Sequence, residues 1–351
     1  MSQPAGSVRV LIATYLEDEH VQRIATADPR VTVLYAPDLL PTPRYQADHN
    51  GIRRPLTAQQ EAAWTELLAQ ADVAFDFDWR DPAALPATAP NLRWIQATSS
   101  GIGEFLLATG LINSQIVFTT AAGVHSAPLA EFACLGLLYL VKQVPLLRAR
   151  QAEHRWERYT ARSIEGLRVL VVGTGQVGTA TARYLTGLGA SVRTASRHPR
   201  PPSSGTEPAL PLGQLKEALR ETDAIVLACP LSPETYHLIA AAELAAMPPG
   251  GYLVNIGRGP VVDQPALVEA LASSHLGGAV IDVAEEEPLP ADSPLWDLPN
   301  VLISPHSAST VASENGKITD LFIDNLYRWL DGRPLSNVFR PSDSMAWGEA
   351  T

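Results

Sequence analysis

Gly166-Leu167-Arg168-Val169-Leu170-Val171-Val172-Gly173-Thr174-Gly175-Gln176-Val177-Gly178-Thr179-Ala180 is the stretch around which the chain is organised. Leu167 to Val172 is apolar and β-branched, with the length of a strand. Gly173, Gly175 and Gly178 then fall at G-x-G-x-x-G spacing. A helix-like stretch runs on to about Leu188, and Ser191 to Ala195 reads as a second strand. Strand, glycine turn, helix and strand in this order make the setting of a dinucleotide site. Gly173 permits the tight turn, Gly175 lets backbone approach a pyrophosphate, and Gly178 lets the helix pack on the strand. Free N–H groups at Gln176 and Val177 would face the phosphates from a helix N-terminus.

The pattern repeats on both sides of this stretch. Upstream, strand-like runs at Val8 to Ala13, Val31 to Tyr35, Val73 to Phe77, Leu92 to Ala97 and Ile116 to Thr119 alternate with helical runs. One of these helices starts at a capping box, Thr57 with Gln60. Ser126 to Trp156 reads as one long helix that Pro145 would end or kink. Downstream come strands at Ala224 to Ala228, Tyr252 to Ile256, Ala279 to Val283 and Val301 to Ser304. A helix capped by Asp263 is expected to run to His275 and stop at Gly277 and Gly278, and a last helix spans Glu314 to Leu330. The Pro-rich stretch Pro199 to Thr206 reads as a surface loop, and the tail after Pro334 as loosely ordered. The alternation predicts an α/β protein with parallel sheets covered on both faces.

A chain of 351 residues suits two domains. With 46% hydrophobic and 18% charged residues, it can bury a large core and is not globally disordered. A formal net charge of -11 argues against a nucleic-acid surface and makes individual arginines informative. Cys134 and Cys229 both stand in apolar surroundings, which predicts buried free thiols and no metal cluster. The first residues carry no signal-peptide pattern. The longest apolar run, Phe132 to Val141, falls short of the ~20 residues a membrane span needs. The expectation is a cytoplasmic protein with no membrane partner.

Three of the downstream strands run straight into reactive residues. Tyr252 to Ile256 leads into Gly257-Arg258-Gly259, Ala279 to Val283 into Ala284-Glu285-Glu286-Glu287-Pro288, and Val301 to Ser304 into Pro305-His306. Ligands of an open parallel sheet bind beyond the carboxyl ends of its strands, so these residues and the Gly173 turn should share one edge. A guanidinium can hold a carboxylate through two parallel hydrogen bonds. Histidine exchanges a proton near neutral pH, and a carboxylate beside it orients the ring and favours the imidazolium. Beside a nicotinamide this set would interconvert 2-hydroxy and 2-oxo acids. Spacing alone leaves the choice among the three glutamates open, with Glu285 and Glu286 read as solvated loop charges. His125 and His237 are read as structural or substrate-adjacent.

These motifs resemble those of the D-isomer-specific 2-hydroxyacid dehydrogenase family. Asn255 to Asp263 is similar to its arginine signature, Asp282 to Leu289 to its glutamate motif, and Ser304-Pro305-His306 to its histidine motif. Cys229-Pro230-Leu231-Ser232-Pro233-Glu234-Thr235 resembles the segment lining the adenosine side of the cofactor, and the likeness spans about residues 70 to 340. It implies Glu287, directly before Pro-Leu, as the catalytic glutamate, Arg258 as the binder of substrate carboxylate and keto oxygen, and His306 as the acid/base. It implies cofactor contacts at Cys229, Pro230, Ile256 and Gly257, and Asp282 at the nicotinamide carboxamide. Thr98 to Ile102 looks like the substrate loop, with backbone N–H groups of Ser100 and Gly101 for the carboxylate. Gly103-Glu104 departs from the Asp-His or Asp-Asn that usually follows. The resemblance further implies a Rossmann cofactor domain, residues 120–308, inserted into a flavodoxin-like substrate domain of residues 1–119 and 309–351. A homodimer and a cleft between domains that closes by hinge motion are part of the same expectation.

The end of the second strand of the dinucleotide unit bears on the cofactor. NAD sites commonly place a carboxylate there for the ribose 2′-hydroxyl, whereas an arginine accommodates a 2′-phosphate. This chain has Ser196-Arg197-His198-Pro199-Arg200. That predicts a preference for NADP(H), with NAD(H) possible, acting on a small 2-oxo or 2-hydroxy acid. Two other readings compete. A formate dehydrogenase has a similar fold but pairs its histidine with glutamine, which Glu287 opposes. A nicotinamide-sensing, corepressor-like binding protein would keep the triad, so its motifs alone would not set it apart.

Overall fold

The structure, a computed structural model, describes residues 7–197 and 208–340. Two compact units divide the chain: Met1–His125 with Thr310–Thr351, and Ser126–Ser309. The family resemblance placed the changeovers at 119/120 and 308/309. His198, Arg200 and the expected loop at 199–206 lie outside the described residues, as does the tail beyond Arg340.

The first unit begins β1 (Val8–Ile12), α1 (Asp18–Ala25), β2 (Val31–Leu34), α2 (Ala58–Gln70), β3 (Val73–Phe75), α3 (Leu85–Thr88), β4 (Trp94–Gln96), α4 (Gly103–Ala108) and β5 (Val117–Thr119). Its strands are parallel in the order β2-β1-β3-β4-β5, which is the flavodoxin-like arrangement. The capping box forms as expected: Thr57 Oγ1 accepts from the Gln60 amide at 3.3 Å, and Gln60 Oε1 from the Thr57 amide at 3.0 Å.

The second unit runs α5 (Ser126–Val141), α6 (Val144–Ala152), β6 (Arg168–Val172), α7 (Gln176–Gly187), β7 (Ser191–Ser196), β8 (Leu210–Pro211), α8 (Leu215–Leu219), β9 (Ala224–Leu227), α9 (Ala241–Ala246), β10 (Gly251–Asn255), α10 (Gln264–Ala272), β11 (Leu276–Ile281) and β12 (Val301–Ile303). The parallel order β12-β11-β10-β9-β6-β7-β8 is the doubly wound dinucleotide-binding order with a seventh strand, and it reverses between β6 and β9. All of β9 and β10 is buried, because helices cover both faces. The chain then returns to the first unit as α11 (Glu314–Leu330). There Phe322 stacks on Trp94 with ring centroids 5.2 Å apart, and Asn325 Nδ2 donates to the buried Gln96 Oε1 at 3.1 Å.

Two expected elements differ. Ser126 to Trp156 is two helices bent by 60° rather than one. The break is at Gln143, which takes a left-handed conformation with φ 53°, and Pro145 sits in the first turn of α6, where its missing N–H costs nothing. Gly277 and Gly278 do not stop α10; they lie inside β11. The helix ends at Ala272, and Ser274 makes the left-handed turn with φ 60°. A Cβ on Gly278 would lie 2.6 Å from both the Asn300 carbonyl oxygen and Leu140 Cδ2 of α5. Glycine is there because a helix and a neighbouring strand come close, a cause that local pattern does not reveal.

Candidate active site

Register explains why distant motifs meet. In the second unit Ala195, Val172, Leu227, Asn255, Ile281 and Ile303 form one row of paired residues across six adjacent strands. Just beyond that row stand Ser196, Gly173, Cys229, Ile256 to Arg258, Asp282 and His306. One edge of one sheet thus collects the predicted site residues that stand at the strand ends of this unit.

At the reversal point, Gly173 has φ 115°, and a Cβ there would lie 2.6 Å from the Ala228 carbonyl oxygen. A Cβ on Gly178 would fall 1.9 Å from the Gly173 carbonyl oxygen, whereas one on Gly175 would meet nothing within 4 Å. So α7 is pressed onto the turn from one side, while the turn is open at Gly175. The N–H groups of Gln176, Val177 and Gly178, in the first turn of this 12-residue helix, have no intrahelical acceptor. At the end of β7 the Ser196 hydroxyl is buried without a hydrogen-bond partner. Next to it, Arg197 Nη1 donates to Glu234 Oε2 at 3.1 Å. An open turn with free amides, an unpartnered hydroxyl and a guanidinium fit a phosphorylated dinucleotide. Cys229 is buried, and burial pushes its thiol up to about 11; Cys134 is affected in the same way.

His306 and Glu287 form the reactive pair. His306 Nδ1 lies 2.8 Å from Glu287 Oε2, and the side chains are 48% and 38% exposed. Glu287 Oε1 accepts from the Ala284 amide at 3.1 Å. With Nδ1 engaged, Nε2 is the ring nitrogen left for chemistry. The Glu287 hydrogen bond raises the His306 pKa above its ordinary value against the opposition of burial; the carboxylate charge adds to the rise and Arg258 subtracts from it. Burial works against ionising Glu287, but the hydrogen bond and charge of His306 outweigh it and hold the carboxyl below the usual range. Both shifts favour an imidazolium–carboxylate pair. Arg258 Nη1 donates to the Gly257 carbonyl at 2.8 Å, and the Asn255 side chain braces this turn through the Gly257 amide at 3.1 Å and the Arg258 carbonyl at 3.0 Å.

Residues 135–308 match the profile described as D-isomer specific 2-hydroxyacid dehydrogenase, NAD binding domain. The chain is 32% identical over 250 residues to the glyoxylate reductase of Thermofilum pendens, covering 70% of this chain and 74% of that protein. The chain belongs to the D-isomer specific 2-hydroxyacid dehydrogenase family. It is therefore an NAD(P)-dependent oxidoreductase. This dehydrogenase is also 30% identical over 294 residues to glyoxylate/hydroxypyruvate reductase B of Klebsiella pneumoniae, covering 82% of this chain and 90% of that one. A D-isomer specific 2-hydroxyacid dehydrogenase from Xanthobacter autotrophicus, solved with NADPH and MES, superposes with a TM-score of 0.77 at 28% identity, covering 97% of this chain and all of that one.

Three carboxylates have partners that the sequence did not indicate. Asp282, expected at the carboxamide, is buried and spends Oδ1 on the histidine turn, accepting from Ser304 Oγ at 2.6 Å and from the Ser307 and Ala308 amides at 2.8 and 2.9 Å. Glu285 is no solvated charge: Oε1 lies 2.7 Å from His237 Nε2, and Oε2 accepts from the Gln264 amide at 3.3 Å. Glu286 is exposed, as expected. Glu234 stands 37 residues from Arg197, and no sequence signal links them.

Ser100 and Gly101 lie in the first unit, on the loop between β4 and α4. The Thr98 amide donates to Asp76 Oδ1 at 3.5 Å, the Ser99 carbonyl accepts from Ala121 at 3.0 Å, and Ser100 Oγ lies 3.4 Å from His125 Nδ1. Among the described residues no histidine, cysteine and carboxylate group forms a metal site. None of their helices is by itself long and apolar enough to cross a membrane.

Proposed function

We propose that this dehydrogenase is an NADP(H)-preferring reductase of small 2-oxo acids, interconverting them with D-2-hydroxy acids, and that glyoxylate and hydroxypyruvate are its substrate type. The carrying observation is the 2.8 Å His306–Glu287 pair on the strand edge that also bears Arg258. When bound, the reduced nicotinamide supplies the hydride. His306 Nε2 gives its proton to the carbonyl oxygen as the hydride reaches the carbon, and takes it back in the reverse direction. Glu287 keeps the ring oriented and charged. Arg258 grips the substrate carboxylate through two N–H groups and puts positive charge beside the oxygen that becomes an alkoxide. On the resemblance of the Thr98 to Ile102 loop, the backbone N–H groups of Ser100 and Gly101 are assigned to a substrate carboxylate.

The unpartnered Ser196 hydroxyl and Arg197 support the NADP(H) preference, as does NADPH in the Xanthobacter autotrophicus protein. A cytoplasmic homodimer belongs to the same proposal.

The test is loss of reduced-nicotinamide absorbance with a panel of 2-oxo acids, run with NADPH and NADH in parallel. Fast oxidation of NADPH by glyoxylate or hydroxypyruvate is expected. Faster turnover with NADH overturns the cofactor preference. Binding of both cofactors with no acid reduced would favour a nicotinamide-sensing protein instead.

A further inference from the structure

A second cluster of titratable side chains stands in the first unit. Glu314, the first residue of α11, is buried, and its Oε1 lies 3.2 Å from His125 Nε2 and 3.7 Å from His49 Nε2. Its Oε2 has no partner. Burial works against a charge here, but the His125 hydrogen bond, with the His49 ring alongside, holds the carboxyl down to about 2. A carboxylate kept ionised under burial is costly unless what it pairs with is held in place. The other ring nitrogen of His125 faces Ser100 Oγ at 3.4 Å. A line of three side chains therefore runs from the last helix to the loop that holds Ser100 and Gly101.

The direction of the first hydrogen bond follows from the carboxylate. An ionised Glu314 only accepts, so the His125 proton belongs on Nε2. Nδ1 is then the nitrogen that meets the Ser100 hydroxyl, a group able to donate to it or accept from it. The loop is otherwise tied at Thr98 by Asp76 and at Ser99 by Ala121. Ser100 is the next residue along, and His125 is its side-chain tether.

We propose that Glu314 is a positioning residue of the substrate loop: acting through His125, it holds Ser100 so that the N–H groups of Ser100 and Gly101 stay aimed at the substrate carboxylate. This rests on the reading of that loop given under Proposed function. Glu314 touches no substrate, so its loss should weaken ground-state and transition-state binding alike, which raises KM and leaves kcat.

A double-mutant cycle separates this from a plain packing role. Ser100→Ala, Glu314→Gln and the double variant are assayed with a 2-oxo acid at saturating NADPH, and NADPH Kd is measured by fluorescence. Each single variant is expected to raise KM about tenfold, the scale of a lost charge-assisted hydrogen bond. The expected kcat stays within about twofold, the NADPH Kd does not move, and the double variant is no worse than either single, because both act through one tether. Additive KM effects, an unchanged KM in Glu314→Gln, or a parallel loss of kcat overturn the proposal. An unchanged KM in Ser100→Ala overturns the loop reading itself, and the positioning role with it. Should Glu314→Gln not fold, His125→Gln replaces it in the same cycle with the same expectations.

Discussion

The His306 amide donates to the Asp282 carbonyl at 2.7 Å. Asp282 thus holds the histidine by the backbone, while its side chain gathers Ser304, Ser307 and Ala308 around the same turn. His306 sits there with φ 53°, a left-handed conformation that a non-glycine residue keeps only when its surroundings insist on it. The turn presents the ring; Glu287 then sets its rotation.

Removing the Asp282 carboxylate should loosen that turn. Asp282→Ala leaves a hydroxyl and two amides short of an acceptor, at a cost of about 2–4 kcal/mol. Its urea midpoint should fall and its turnover with it, and Asp282→Asn should recover part of both, since an amide oxygen still accepts. Unchanged stability in Asp282→Ala would show that the turn stands without it.

The raised His306 pKa sets a pH limb. With His306 as the proposed proton donor, reduction needs the protonated ring, which is present below the raised value and lost as pH climbs through it. So kcat/KM for reduction should be flat on the acid side and decline on the alkaline side, above the ordinary histidine value of ~6.5. Glu287→Gln weakens the hydrogen bond and removes the charge that together raise it, so the inflection should move to lower pH. An inflection that stays put assigns the limb to another group. His306→Ala should lower turnover by roughly two to four orders of magnitude.

If Arg197 sets the proposed preference, Arg197→Ala should raise KM for NADPH about tenfold or more while changing KM for NADH by less than about twofold, because only a 2′-phosphate would lose a charge-assisted partner. Equal effects on both cofactors would remove Arg197 from the preference.

Gly278→Ala probes packing far from the chemistry. Its methyl group would stand 2.6 Å from Leu140 Cδ2 and from the Asn300 carbonyl oxygen, and overpacking of this kind costs about 1–3 kcal/mol. Urea unfolding should show the loss. A wild-type midpoint would mean that α5 gives way freely.

Much was legible from the sequence alone. Apolar runs of strand length, the Gly173-x-Gly175-x-x-Gly178 turn and the Asp263 cap are local signals, and local backbone chemistry produces what they announce. Arg258, His306 and a glutamate between them were legible as candidates too, since each follows a strand and parallel strands deliver their carboxyl ends to one edge; the choice of Glu287 among three glutamates came from the family resemblance. Only the tertiary structure decided the rest. It aligned Ala195, Val172, Leu227, Asn255, Ile281 and Ile303 in one row, broke the long helix at Gln143, kept Gly278 inside a strand, and paired Glu285 with His237. It also brought Arg197 to Glu234 and Glu314 to His125 across 37 and 189 residues. Hydrogen bonds, ion pairs and close packing between distant segments depend on where the folded chain returns, and spacing along the sequence carries no record of that.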